Sequence, residues 1–141
     1  MTPRQIAIVR QQFGLVARHA DAFAAGFYDT LFTIDDTLRP LFPADLAAQR
    51  GKLVKVLAHV ILSLHDLGAV IDDVRALAAR HAGYGVTSTD YDTVGIALLT
   101  TLGDHLGDRF DDEARAAWAL CYGTLANAMI DAGRSAPAVA A

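Results

Sequence analysis

The chain has 141 residues, and its 12 lysines and arginines against 16 aspartates and glutamates give a net charge of −4 with no basic block. A nucleic-acid or anionic-membrane partner is therefore not expected. Cys121 is the only cysteine, which excludes an internal disulfide and any multi-cysteine zinc or iron–sulfur site. With no secretory signal pattern and no bilayer-length apolar run, we expect a cytoplasmic protein without a membrane span.

Long proline-free stretches with helical spacing of apolar residues predict an all-α chain of about six substantial helices. The segment Thr2–Gln5 matches a capping pattern with a proline at the first helical position, so the first helix is expected to start there. A second helix is predicted over about residues 20–32, with Tyr28 as its inward residue with a polar tip. Residues 33–43 are predicted to interrupt the long helices and to contain a short helical turn.

The third predicted helix covers about residues 44–66 and has an inward stripe that is apolar except for Gln49. A fourth, Val70 to Ala82, carries His81 on the same side as a short apolar stripe. The glycines at 83 and 85 are expected to end this helix. The spacing therefore places one polar side chain on the inner face of each of these two helices.

The fifth predicted helix opens at the capping oxygens of residues 87–90 and ends around Gly103 to Asp108. The last opens at the acidic residues 111–113 and closes at Gly133. Residues 1–134 are expected to form one domain, followed by a flexible tail over residues 135–141. Cys121 is predicted to lie either in the core or at a helix–helix dimer contact.

Three inward polar groups, Tyr28, Gln49 and His81, come from three separate helices, with Phe42 on the corner between the first two. Burying each costs free energy unless a partner satisfies it. A haem would do so, with His81 binding iron on one face and the other two donating to a gas on the opposite face. Alternatively, the tyrosine is an ordinary core residue, and Gln49 is solvated or displaced from the pocket by a one-position shift at Ala47-Ala48.

Several motifs occur in a fixed order along nearly the whole chain. They are Phe27–Phe32, Leu41-Phe42, Gln49 with Leu53 four residues later, His81 with Tyr91 ten residues later, Trp118, and Tyr122–Asn127. In this order the sequence resembles a globin, and most closely the bacterial single-domain haemoglobins and the globin part of flavohaemoglobins. The resemblance implies a globin fold, with the helices arranged around a haem pocket.

The resemblance implies that the cofactor is haem b, with His81 as the proximal iron ligand and Tyr28, Gln49 and Leu53 beside the bound gas. The cofactor contacts that it implies are Phe42, Leu53, Leu57, Leu77, His81, Val86, Tyr91, Val94 and Leu98. Lys52 and Arg80 are the expected partners of the haem propionates. The other histidines are not expected to bind iron.

The resemblance implies reversible binding of dioxygen at ferrous iron, with nitric oxide and carbon monoxide as further ligands. A second hypothesis is an enzyme that converts nitric oxide to nitrate, using a separate reductase because no flavin or nicotinamide domain is expected in 141 residues. A haem-free helical interaction or sensor domain is the third. The chain departs from flavohaemoglobins near Asp131 and Ser135, where a glutamate is expected. A monomer and a homodimer both remain open.

Overall fold

The computed structural model describes residues 1–66, 76 and 88–135. These ranges contain no strand, and their helices are α1 Pro3–Ala17, α2 Ala20–Ile34, a 3₁₀ helix Asp36–Leu41, α3 Ala47–Leu62, α4 Ser88–Leu106, a 3₁₀ helix Gly107–Arg109 and α5 Asp112–Ser135. The predicted all-α class is confirmed. Apart from Ala76, which is helical, the predicted helix Val70 to Ala82 lies outside the described residues.

Two local caps set where helices begin in the first half of the chain. Thr2 Oγ1 accepts from the Gln5 amide at 3.2 Å, and the Gln5 side chain accepts from the Thr2 amide at 2.8 Å. This capping box confirms the predicted start of α1. After α2, the Asp35 carboxylate accepts from the Thr37 amide at 3.0 Å and opens the predicted short helical turn.

The third helix is shorter at both ends than the sequence predicts. It begins at Ala47, whose amide donates to the Asp45 carboxylate at 2.9 Å, and not near residue 44. Its last carbonyls, on Ile61 and Leu62, accept from the Arg10 guanidinium at 3.3 and 3.0 Å. Residues 63–65 then form a turn, so the helix stops before the predicted Asp66.

Of the two C-terminal α-helices, α4 ends within the predicted range of Gly103 to Asp108, whereas α5 runs past its predicted end at Gly133. α4 passes through Gly103 and ends at Leu106, before Gly107, whose φ of +57° favours glycine. α5 passes through Gly133 to Ser135, so this serine belongs to the helix and not to the predicted tail. Residues 136–141 lie outside the described part of the chain.

The core lies where α2 packs on α4 and where α1 packs on α5. Trp118 of α5 is 1% exposed, and its Nε1 donates to the Gln12 side chain of α1 at 2.9 Å. Gln12 in turn donates to the Arg109 carbonyl at 2.7 Å, so this buried amide is satisfied from two elements. Cys121 lies in the same core, and burial raises the pKa of its thiol to about 11.

None of the helices formed by residues 1–66 and 88–135 is long and apolar enough to cross a bilayer. The longest of them, α5, carries charged and polar side chains along its exposed side. The helices instead bury one apolar side each against their neighbours, as amphipathic helices do.

Candidate functional site

A cavity of about 610 Å³ lies between α2, the first 3₁₀ helix, α3, α4 and α5. This volume is within the range of about 300–1,000 Å³ that small-molecule and cofactor sites occupy. Its walls are mostly apolar, and the lining residues are Phe27, Tyr28, Leu31, Leu38, Leu41, Phe42, Gln49, Lys52, Leu53, Lys55, Val56, Leu57, Asp90, Tyr91, Val94, Leu98, Tyr122, Leu125, Ala126 and Met129.

Every predicted site residue that the structure describes lines this cavity. The residues predicted from the sequence that line this one cavity are Tyr28, Phe42, Gln49, Leu53, Leu57, Tyr91, Val94 and Leu98. Leu77, His81 and Val86 lie outside the described residues, as does Arg80. The gas-ligand side of the predicted site is therefore described in side-chain detail.

A tyrosine and a glutamine supply the polar end of the cavity. Tyr28 is 3% exposed, and Gln49 Nε2 donates to its hydroxyl oxygen at 3.2 Å. Burial raises the pKa of Tyr28, while the hydrogen bond from Gln49 acts in the opposite direction. The hydroxyl therefore stays protonated at neutral pH. Because Gln49 uses a lone pair of the oxygen, the hydroxyl hydrogen remains available as a donor.

The aromatic rings of Tyr28, Phe32 and Phe42 pack against one another at one corner of the cavity. Phe42 meets Tyr28 edge-on at a centroid distance of 5.5 Å, and Phe32 stacks on Tyr28 at 6.0 Å. Phe32 and Phe42 also meet edge-on, at 5.5 Å. Offset and edge-on arrangements of this kind are the favoured geometries of aromatic pairs. The cluster restricts the Tyr28 ring from two sides.

The two lysines of the sequence both line this cavity. Lys52, which the sequence predicts as a propionate partner, and Lys55 are exposed on α3, and Asp90 faces them from α4. An amphipathic lysine can line an apolar wall with its stem while its ammonium stays in water. Sequence reasoning missed Lys55, although its spacing of three from Lys52 places both on one side of the helix.

The sequence also did not predict that α5 forms one wall of the cavity. Tyr122, Leu125, Ala126 and Met129 follow the spacing i, i+3, i+4, i+7, which identifies an inward stripe but not the cavity that it faces. The Tyr122 hydroxyl donates to the Tyr91 carbonyl at 2.6 Å and ties α5 to the first turn of α4. Burial, and then the charges of Tyr91 and Asp92, raise the pKa of Tyr122, so the hydroxyl remains a donor.

Gly95→Ala is expected to destabilise the protein because Tyr122 packs directly over this glycine. An added Cβ would lie 2.8 and 3.1 Å from two ring carbons of Tyr122, closer than packed atoms tolerate. We expect a loss of about 1–3 kcal/mol in the free energy of unfolding, measured in urea. Gly14→Ala is the control: no atom lies within 4 Å of its Cβ position, so the helix propensity of alanine should stabilise α1. Equal effects at the two positions would contradict the steric explanation.

The other described histidines do not line the cavity. His19, His59 and His65 are exposed, and His105, also exposed, packs edge-on against Phe23 at 5.6 Å. Within residues 1–66 and 88–135, no group of three or more histidine, cysteine, aspartate or glutamate side chains is placed to hold a metal ion.

Comparison with known proteins identifies the family to which the chain belongs. The family model for Globin matches residues 25–129, which is more than half of the chain, and the chain therefore belongs to the globin family. Its fold is similar to that of a bacterial globin from Campylobacter jejuni, with a TM-score of 0.86 and 23% sequence identity over 95% of this chain and 97% of that one. The predicted globin fold is confirmed.

The curated relatives are flavohemoproteins. The one from Rhizobium meliloti is 32% identical over 90% of this chain and 32% of its own length. The one from Deinococcus radiodurans is 33% identical over 97% of this chain and 36% of its own length. The chain thus spans about a third of the length of these relatives. The predicted resemblance to the globin part of flavohaemoglobins is confirmed, and membership of this family implies haem binding.

Proposed function

We propose that the chain binds haem b in the cavity between α2, α3, α4 and α5 and binds dioxygen reversibly there. The single observation that supports this most is the pair Tyr28 and Gln49, joined at 3.2 Å in a mostly apolar cavity. Such a pair provides hydrogen-bond donors for a small polar ligand among mostly apolar walls.

The residues present fit this cofactor. The apolar walls suit the faces of a porphyrin, and the ammonium groups of Lys52 and Lys55 suit its carboxylates. His81, from outside the described residues, is our proposed proximal ligand. Haem, when bound, supplies a ferrous iron at which a diatomic gas binds reversibly.

The chain's own groups would then hold and shield the gas. The Tyr28 hydroxyl donates its hydrogen, and Gln49 fixes the orientation of that hydroxyl by donating to its oxygen. A hydrogen bond to a partly charged acceptor contributes about 1.5–3 kcal/mol. Phe42, Leu53 and Val94 line the same cavity, and apolar surroundings strengthen such hydrogen bonds. We therefore expect slow release of dioxygen.

The visible spectrum of the purified protein, with and without added haem, tests this proposal. We expect a Soret band that saturates at about one haem per chain. His81→Ala should shift this band, and added imidazole should restore it if His81 is the iron ligand. No Soret band under either condition, with a helical circular dichroism spectrum showing that the protein is folded, would overturn the proposal in favour of a haem-free helical domain.

A second candidate is conversion of nitric oxide to nitrate with a separate reductase. It is favoured by the flavohemoprotein relatives, of which the chain matches about a third. Tyr28 and Gln49 would hold dioxygen while nitric oxide enters the cavity. Mixing the dioxygen-loaded protein with nitric oxide should give one nitrate per haem, and an added flavin reductase should sustain turnover. Failure of every added or cellular reductant to restore the ferrous form would exclude a role as an enzyme.

A further inference from the structure

One arginine holds the loop that leads from the first 3₁₀ helix to α3. Arg39 Nη1 donates to the carbonyls of Phe42, at 3.3 Å, and Pro43, at 2.9 Å. Its Nη2 donates to the carbonyl of Ala44 at 2.9 Å. Three successive backbone carbonyls therefore converge on a single guanidinium, which replaces the missing helical hydrogen bonds of this loop.

The same guanidinium lies over an aromatic ring of the cavity corner. Its Cζ is 5.2 Å from the centroid of Phe32, within the range of cation–π contacts. Phe32 meets both Phe42 and Tyr28 in the aromatic cluster described above. Arg39 thus contacts this cluster twice, through the backbone of Phe42 and through the ring of Phe32.

The contacts require an arginine. A planar guanidinium can direct N–H groups from two nitrogens at several carbonyls in its plane while its face covers a ring. A lysine ammonium is a compact group on a flexible stem and cannot do both. Arg39 is itself half-buried, and its bond to the Phe42 carbonyl is part-buried, whereas its bonds to Pro43 and Ala44 are exposed.

We propose that Arg39 is a positioning residue for the gas-binding side of the cavity. It fixes Phe42 through the loop carbonyls, and Phe42 and Phe32 together fix the ring whose hydroxyl faces the gas, that of Tyr28. Without Arg39 the loop gains freedom, Phe42 moves away from the ring, and the hydrogen bond from Tyr28 to the gas weakens. This inference rests on the proposed haem and gas binding.

The test compares Arg39→Met and Arg39→Lys with Arg115→Met, a control at an exposed arginine of α5. Methionine keeps an apolar stem but no donors, and lysine keeps the charge without the planar fork. Amide hydrogen exchange of the non-proline residues among 40–47, measured in protein with or without haem, reports how often the loop opens. In the haem-loaded protein, the carbon monoxide stretching frequency and the rate of dioxygen release report the Tyr28 hydrogen bond.

Both Arg39 variants should raise loop exchange about tenfold or more, while Arg115→Met changes it less than about twofold. They should also shift the carbon monoxide stretch and speed dioxygen release several-fold, with α1 and α5 exchange unchanged.

Unchanged loop exchange would overturn the Arg39 contacts whether or not haem binds. Faster loop exchange with an unchanged carbon monoxide stretch would overturn the link to Tyr28. Absence of a Soret band in the parent protein would overturn the proposed function and, with it, that link, while the loop result would still stand.

Discussion

Tyr28→Phe is expected to speed dioxygen release from the haem-loaded ferrous protein about tenfold or more. The substitution keeps the ring, and hence its packing on Phe32 and Phe42, and removes only the hydroxyl that we propose as the donor to the gas. A loss of about 1.4 kcal/mol corresponds to a factor of ten in rate. Stopped-flow mixing of the dioxygen-loaded protein with excess carbon monoxide measures the release rate.

Tyr122→Phe is the matched control for this experiment. It also removes one hydroxyl from a tyrosine that lines the cavity, but that hydroxyl donates to the Tyr91 carbonyl and is not free to donate to a gas. We expect it to lower stability and leave the release rate within about twofold. If Tyr28→Phe leaves the release rate unchanged, Tyr28 does not hold the gas, and Gln49 becomes the principal donor.

Gln12→Leu is expected to lower the free energy of unfolding by about 1–3 kcal/mol for each partner it leaves unsatisfied. Gln12 accepts from Trp118 Nε1 in a buried hydrogen bond and donates to the Arg109 carbonyl in a part-buried one. Leucine fills a similar volume but satisfies neither partner. Urea unfolding, followed by circular dichroism at one fixed haem loading, measures the loss.

A double-mutant cycle separates this hydrogen bond from packing. Trp118→Phe removes the indole donor, so adding it to Gln12→Leu leaves only the Arg109 carbonyl without its partner. We expect the double variant to be less destabilised than the sum of the two single variants by about 1 kcal/mol or more. Additive losses would show that the hydrogen bond between Trp118 and Gln12 does not contribute to stability.

Features set by neighbours within a few residues were predictable from the sequence. The capping box at Thr2 and Gln5 and the turn that opens at Asp35 depend only on local hydrogen bonds, and both form as predicted. The inward position of Tyr28 follows from helical spacing, and the structure buries it. The globin resemblance placed Gln49 opposite Tyr28, although helical spacing left a shift of one position open.

Features set by side-chain contacts that follow no local sequence pattern were not predictable. The Arg39 guanidinium binds the carbonyls of Pro43 and Ala44, and α3 begins only after this loop. Gly133 occurs within α5 despite the low helix propensity of glycine. The contact of Tyr122 with Gly95 joins two helices, and neither residue signals it in the sequence.

The bond between Trp118 and Gln12 also bears on how the chain folds as it is made. These residues are 106 positions apart, and the ion pair of Arg4 with Glu113 spans 109. At about 5–20 residues per second, the ribosome delivers α5 roughly 5–20 s after α1. During that interval the side of α1 that carries Gln12 lacks its partners from α5, and only the earlier helices, such as α3 through Arg10, can hold α1. Ribosome-bound chains stalled before Trp118 should therefore expose α1 to limited proteolysis, and chains that extend through α5 should protect it.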